Sequence, residues 1–274
     1  MSLLPLSLDW EDWFQLCCPP YDAPNALDHF EDRLARSTDL ALQLCEDLNA
    51  TGTWFCLGDQ ARRHPELLGR IVAQGHSIGL HGLTHRRAFT LDRTEFLRNL
   101  VDGKALLEDL SGRRVQGYRA PEWSLRGAAE GYWDLLPEAG FTFDSSRAPL
   151  KVLGDPSWPR HAHRLSNGVW ELPPPVLGSG PLTIPAWGWA QRLLPSQWLR
   201  QHLKTLAATG AGTPLVLHPW ELDERQPSLP AGTLGHRFAH SAGLRGLPAR
   251  LRRLWWGLEL RPLETWIARS EEGK

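Results

Sequence analysis

Two imidazoles, His81 and His85, stand four residues apart at the end of the run GHSIGLHGLTH (75–85). Histidine is the commonest metal-ligating side chain, and this spacing lets two rings converge on one ion. Gly75, Gly79 and Gly82 argue against a helix here, so the pair is expected where a strand runs out into a loop. Three other short motifs carry groups of matching chemistry: Asp9–Trp10–Glu11–Asp12, Arg119–Ala120–Pro121–Glu122–Trp123 and His218–Pro219–Trp220–Glu221. Each has an ordinary explanation alone, since acidic clusters are usually solvated and a strand-end histidine is usually structural. Together they make a hydrolytic set. Two neutral imidazoles and a carboxylate leave open positions on a divalent ion, where water is acidified. A second carboxylate can take the proton of that water, and a distant protonated histidine can hand one to a leaving group. An arginine beside the carboxylates would orient the base.

These motifs require elements that deliver them to one place. Residues 4–8 read as a short buried strand leading into the acidic cluster, and strand alternation puts Asp9 and Glu11 on one face. A helix is expected at 37–49, a strand at 53–57, a helix from Pro65 to the Gly75 stop, and a strand at 77–80. Further on come a helix at 94–110, a strand at 116–119, a helix at 128–139 and a strand at 141–143. Residues 147–191, rich in Pro, Gly and Trp, show no period and read as ordered loops with short strands. A helix at 196–208, a strand at 214–217, a basic amphipathic helix at 245–258 and a last strand at 262–267 complete the chain. Such alternation predicts a parallel α/β barrel or sheet with its site at the C-terminal strand ends. No internal repeat or long linker divides residues 1–274, so one domain is expected.

The 274 residues are 42 % hydrophobic and 22 % charged, enough apolar matter for a sizeable core. A formal net charge of −1 argues against nucleic acid as a partner, because phosphate backbones demand a basic footprint. There is no apolar run near the length of a membrane span, and residues 1–5 lack the form of a signal peptide. A cytoplasmic location is therefore the expectation. Cys17, Cys18, Cys45 and Cys56 match no zinc-module spacing and read as reduced thiols. Fourteen tryptophans against three tyrosines are unusual; a Trp face stacks on sugar rings as readily as it fills a core.

On the runs LDWEDWF, TGTWFCLG (51–58), GHSIGLHGLTH (75–85), GYRAPEWS (117–124), GFTFDSS (140–146) and LHPWELD (217–223), the sequence resembles the polysaccharide deacetylase family. That family is carbohydrate esterase family 4, with the NodB homology domain. The nearest branch is that of exopolysaccharide clusters, close to peptidoglycan deacetylases and allantoinase-like proteins. The resemblance covers residues 4–223 in order, leaving 224–274 to complete the barrel. It implies a distorted (β/α) barrel of fewer than eight strands and removal of N-acetyl groups from an amino-sugar glycan, with release of acetate. The cofactor it implies is a divalent metal, zinc first, with cobalt or another transition metal as alternatives.

Carried onto this chain, the resemblance makes Asp9 the catalytic base, His81 and His85 metal ligands, Arg119 the arginine that steadies the base, and His218 the general acid. The third ligand is either Glu11 or Asp12, with Asp12 slightly favoured as a loop residue able to fold back. The family's usual aspartate partner of the acid histidine is missing after Gly140, and Asp144 or Glu171 could replace it. A backbone N–H within 120–122 is expected to help hold the oxyanion. Trp10, Trp13, Pro121, Trp123 and Trp220 adjoin the motifs and are the candidate sugar contacts. Two rivals are a hydrolase of a small cyclic amide on the same scaffold and a catalytically silent carbohydrate-binding protein.

Overall fold

The computed structural model describes residues 3–22 and 26–273. Its first strand, β1 (Leu3–Trp10), is buried along its whole length, because its two faces are covered by different layers. β2 (Thr53–Cys56), β3 (Ser77–Leu80), β4 (Gly117–Tyr118) and β5 (Phe143–Asp144) follow, each separated from the next by helical segments. Next come β6 (His163–Arg164), β7 (Trp170–Glu171), β8 (Val176–Leu177), β9 (Ile184–Pro185), β10 (Leu215–Leu217) and β11 (Glu259–Arg261). The main sheet runs β10-β1-β2-β3-β4-β5-β7-β6. All these pairings are parallel except the last, β7 with β6, which is antiparallel.

Seven parallel strands along this path, with β11 added in parallel beside β1, thus curl into a distorted barrel. Among the described residues no pairing joins β10 back to β7 or β6, so the wall stays open there. β1 also changes neighbour along its length. Leu6, Ser7 and Leu8 align with β10, whereas Leu3, Leu4 and Pro5 align with β11. Side chains fill the interior so closely that two strand positions admit only glycine. A Cβ on Gly79 would lie 2.6 Å from the Phe55 ring, and one on Gly117 would lie 2.1 Å from that of Phe143.

Helices cover the outside. The helix Leu34–Asp47 buries Leu34, Ala41, Leu42 and Leu44 against the sheet, a 3.6-residue stripe. It begins three residues before the expected start at Ser37, whose hydroxyl instead donates to the Leu34 carbonyl inside the helix. Arg93–Ser111 is capped by Asp92, which accepts from the Glu95 N–H, and ends on Gly112 in the left-handed region. One hydrophobic cluster runs from Leu4 to Leu260, so the two ends of the chain share a core.

Four stretches differ from the sequence reading. Residues 262–267 are not a strand: the helix Leu263–Glu272 begins after Pro262, and the strand is the three residues before it. The helix predicted at 128–139 is a 3-10 segment, Gly127–Asp134, followed by one α-turn, Leu135–Glu138. Short helices Gly58–Arg63 and Leu234–Ser241 stand where no element was expected. No described helix is long and apolar enough to cross a membrane.

Candidate active site

β1 delivers the first two carboxylates. Asp9 and Glu11 share a face as alternation requires, and both lie near His218 Nε2, at 3.7 Å from Asp9 Oδ2 and 3.7 Å from Glu11 Oε1. Trp10, between them, points the other way. It is fully buried and its indole N–H donates to Thr38 on the covering helix, so it belongs to the core rather than to a sugar groove.

His81 leaves β3 with its Nδ1 2.8 Å from the Arg119 carbonyl. A carbonyl only accepts, so Nδ1 carries the hydrogen and Nε2 offers its lone pair inward. His85 follows after a turn through Gly82, whose φ of +100° suits a residue without a side chain. Its Nδ1 lies 3.4 Å from the Cys17 thiol, which leaves Nε2 to face Glu11. Glu11 Oε2 is 2.8 Å from His85 Nε2 and 3.5 Å from His81 Nε2. These three residues bring one ligand atom each to within 4.8 Å of one another. Burial alone would raise the Glu11 pKa, but the imidazoles of His85, His81 and His218 hold it well below the usual value.

Asp12 does not join this group. Its Oδ1 accepts from the Trp13 N–H at 2.7 Å and its Oδ2 from the Arg33 N–H at 2.8 Å. The slight preference for Asp12 as the converging carboxylate therefore gives way to Glu11. The loop folds Asp12 back onto its own backbone and the start of the helix Leu34–Asp47, not toward the histidines.

Arg119, at the exit of β4, is fully buried and spends every nitrogen: Nη1 donates to Asp9 Oδ1, Nη2 to the Ser7 and Ser145 hydroxyls, and Nε to the Ser145 carbonyl. Its guanidinium also stacks over the Phe55 ring at 4.3 Å. So fixed, it can only present one edge to Asp9. Among residues 120–122, the Ala120 N–H is already donated to Ser146 and Pro121 has none, which narrows the expected oxyanion donor to Glu122. Glu122 and Trp123 both adopt φ of +50°, an unusual conformation for side chains of this size and the kind of strain that collects at sites.

His218 closes the opposite side. Its Nδ1 meets Glu221 Oε1 at 2.9 Å, and Glu221 Oε2 lies 3.4 Å from Arg192 Nε. Burial disfavours charge on this ring, yet the Glu221 hydrogen bond and the charges of Glu11, Glu221 and Asp9 together raise it to about 9. Glu221, three residues downstream on the same turn, is thus the partner that the sequence reading sought in Asp144 or Glu171. Those two lie elsewhere, packed against each other across β5 and β7. The signal was present in HPWE, where an acid at the third position after a strand-end histidine can reach back to it.

Of the remaining tryptophans, Trp220 donates to Glu11 Oε1 at 3.3 Å and stacks on His240, with ring centroids 4.7 Å apart. Trp123 meets the His218 ring edge-on at 6.4 Å and packs on Trp187. Trp13 is buried in the same cluster as Trp220, together with Phe14 and Phe30, its indole N–H donating to the Glu31 carbonyl. Pro121 is buried beside Gly82.

Comparison with known proteins bears on the whole arrangement. Residues 23–143 match the profile of the polysaccharide deacetylase family. The chain carries a polysaccharide deacetylase domain. Residues 145–267 match a second profile, described only as a domain of unknown function (DUF3473). The chain is 28 % identical over 112 residues to the peptidoglycan-N-acetylglucosamine deacetylase of Bacillus cereus, covering 41 % of each chain. It is also 28 % identical over 137 residues to the peptidoglycan deacetylase of Helicobacter pylori, covering 48 % of this chain and 46 % of that one. The chain thus spans under half the length of these curated relatives.

Among solved structures, a candidate polysaccharide deacetylase from Mycobacterium smegmatis superposes with a TM-score of 0.64 at 22 % identity, covering 99 % of this chain and 90 % of that one. Peptidoglycan deacetylase PdaC from Bacillus subtilis gives 0.50 at 15 % identity, covering 99 % and 94 %. At such identities the likeness is one of fold. The cluster itself crosses the matched segments: His81, His85 and Arg119 fall within 23–143, His218 and Glu221 within 145–267, and Asp9 and Glu11 before either.

Proposed function

We propose that this chain is a metal-dependent hydrolase that removes N-acetyl groups from an amino-sugar glycan and releases acetate. The observation that carries the reading is the convergence of Asp9 and His218 on the Glu11–His81–His85 group, behind a guanidinium that holds Asp9 in place. The donor set fits a divalent transition ion, since it offers one carboxylate and two imidazoles whose other nitrogens are engaged from behind. An ion held there would supply Lewis acidity to water and to the acetyl carbonyl oxygen.

The chain's own residues do the rest. Asp9, with Oδ1 tied to Arg119, turns Oδ2 toward the reaction space and takes the proton of the attacking water. The water oxygen adds to the carbonyl carbon, and the Glu122 N–H is the donor left to meet the developing oxyanion. The C–N bond then breaks. His218 Nε2 gives its proton to the departing nitrogen, leaving a free amine and acetate, while Glu221 holds the imidazolium that made this possible. Trp123 and Trp220 bracket His218 and form the aromatic walls against which a sugar ring would lie.

Acetate release from N-acetylglucosamine oligosaccharides, measured with added Zn²⁺ or Co²⁺ and after chelation, tests the proposal. We expect metal-dependent release. No release from any N-acetylated glycan with any divalent ion would sink it.

A further inference from the structure

Behind Arg119 lies a pair of carboxyl groups that the proposed reaction does not use. Asp144 and Glu171 are register partners on the parallel strands β5 and β7, so their side chains leave the sheet side by side. Both are fully buried. Their surroundings are unequal. Asp144 is rich in donors, receiving the Trp133 indole N–H on Oδ2 at 3.0 Å and the Ser146 hydroxyl on Oδ1 at 2.6 Å. Among the described residues, Glu171 Oε1 accepts only the Arg147 N–H, at 3.1 Å, and its buried Oε2 has no donor directed at it. The two side chains are nevertheless within hydrogen-bonding reach of each other.

Two carboxylates cannot both be charged there without a large penalty, because like charges in a dry site repel. A proton on Glu171 Oε2 removes the difficulty at once. The orphan acceptor becomes a donor, and Asp144 is the acceptor beside it. The charged and titratable neighbours agree. Arg147, after β5, stacks on the Trp133 ring at 3.8 Å and is near enough to offset one negative charge, not two. Tyr118, on β4, has a buried phenol raised well above its usual value by burial and by Asp144, so it stays neutral. Burial, and then Asp144, likewise push Glu171 well up.

The pair connects to the site through one hydroxyl. Ser146 donates to Asp144 and accepts the Ala120 N–H at 2.9 Å. We infer that Glu171 is kept as an undissociated carboxylic acid donating to Asp144, and that the chain Glu171–Asp144–Ser146–Ala120 positions the β4 exit from which Arg119 reaches Asp9. Glu171 is on this view a positioning residue, and its effect on turnover rests on the deacetylase reading given above. The proton itself does not.

The infrared difference spectrum of wild type minus Glu171→Gln at neutral pH tests the proton. We expect a carbonyl stretch of an undissociated acid that the variant lacks; a difference made only of carboxylate bands overturns the inference. Asp12 and Glu264 are also raised by burial, and their bands cancel in this subtraction. Hydrogen exchange at the Ala120 amide tests the positioning without any substrate. It should rise roughly tenfold in Ser146→Ala and in Glu171→Ala, and stay within about twofold in Glu171→Gln, which keeps a neutral donor. Acetate release should follow the same order, with Ser146→Ala keeping the acid band. Unchanged exchange in Ser146→Ala, or Glu171→Gln as disturbed as Glu171→Ala, overturns the positioning role. Should wild type release no acetate, the deacetylase reading fails while the band and the exchange still decide this one.

Discussion

Glu11 and Asp12 are neighbours whose carboxylates face different surroundings, and the contrast yields a sharp test. Glu11 meets imidazole nitrogens, whereas Asp12 terminates backbone N–H groups at the start of a loop. Glu11→Gln should strip bound metal measured by mass spectrometry, and His81→Ala should do the same. Asp12→Asn should retain the metal but lose about 1–3 kcal/mol of stability in denaturant titration, since one of its accepting oxygens is replaced by a donor. The reverse pattern would return the role to Asp12. A second test concerns His218. Glu221→Gln keeps the shape of the contact but removes the negative charge beside the ring, so kcat should fall roughly 10²-fold, a part of what general acid catalysis contributes. An unaltered kcat would detach Glu221 from the chemistry. At this scale the sequence was informative about residue type and poor on direction. Asp9, His81, His85, Arg119 and His218 could be picked out because their chemistry is rare at strand ends. The opposite orientations of Trp10 and Asp9, and the choice between Glu11 and Asp12, depend on where β1 stops and the loop begins.

Elements were legible where a period was long enough to count. The helices over 34–47, 93–111 and 196–209 and the strands β1 to β3 all carry recognisable stripes or short apolar runs. The stretch 147–191 yields strands of two residues each, too short to show alternation, and their pairing is decided by tertiary contacts. At 262–267, Leu263, Thr265 and Ile267 alternate like a strand, yet Pro262 is a good residue to precede a helix and the helix forms. One buried group makes the packing of β3 against β2 sensitive to acid. His76, just before β3, accepts the Gly52 N–H on Nδ1 at 3.0 Å, and burial pushes its pKa down to about 4. The unfolded chain would bind this proton near pH 6.5 and the folded chain only near 4, so stability is complete above pH 6.5 and falls as pH drops toward 4. At pH 5 the loss is about 2 kcal/mol from this residue, and denaturant titrations of wild type and His76→Gln at both pH values would read it. Equal losses in the two proteins would show that His76 is not responsible.

For the molecule as a whole, the candidate site ties β1, the exit of β3 and the exit of β10 together. A bound ion should therefore stabilise the entire fold, by about 2.7 kcal/mol at a hundredfold excess over its dissociation constant. Chelation should lower the melting temperature of wild type and leave that of His85→Ala unmoved, as followed by calorimetry; an insensitive wild type would argue that no ion is held there. The barrel architecture itself could be anticipated from the alternation of elements, but its open wall and the switch of β1 between β10 and β11 could not. No local pattern records which distant strand lies alongside.

That switch has a consequence for how the chain comes into being. β1 leaves the ribosome before each of the three strands it pairs with, and two of these are made of residues as distant as 215–217 and 259–261. Until those residues are made, an eight-residue, largely apolar strand must wait with one flank uncovered. An unpaired edge of this kind is prone to aggregate while it waits, and its pairings are of high contact order, which slows folding. The deacetylase-like first half, made alone, would stall at this point with a sticky edge. The role of residues 145–267 thus includes a late one, completing the sheet that β1 begins.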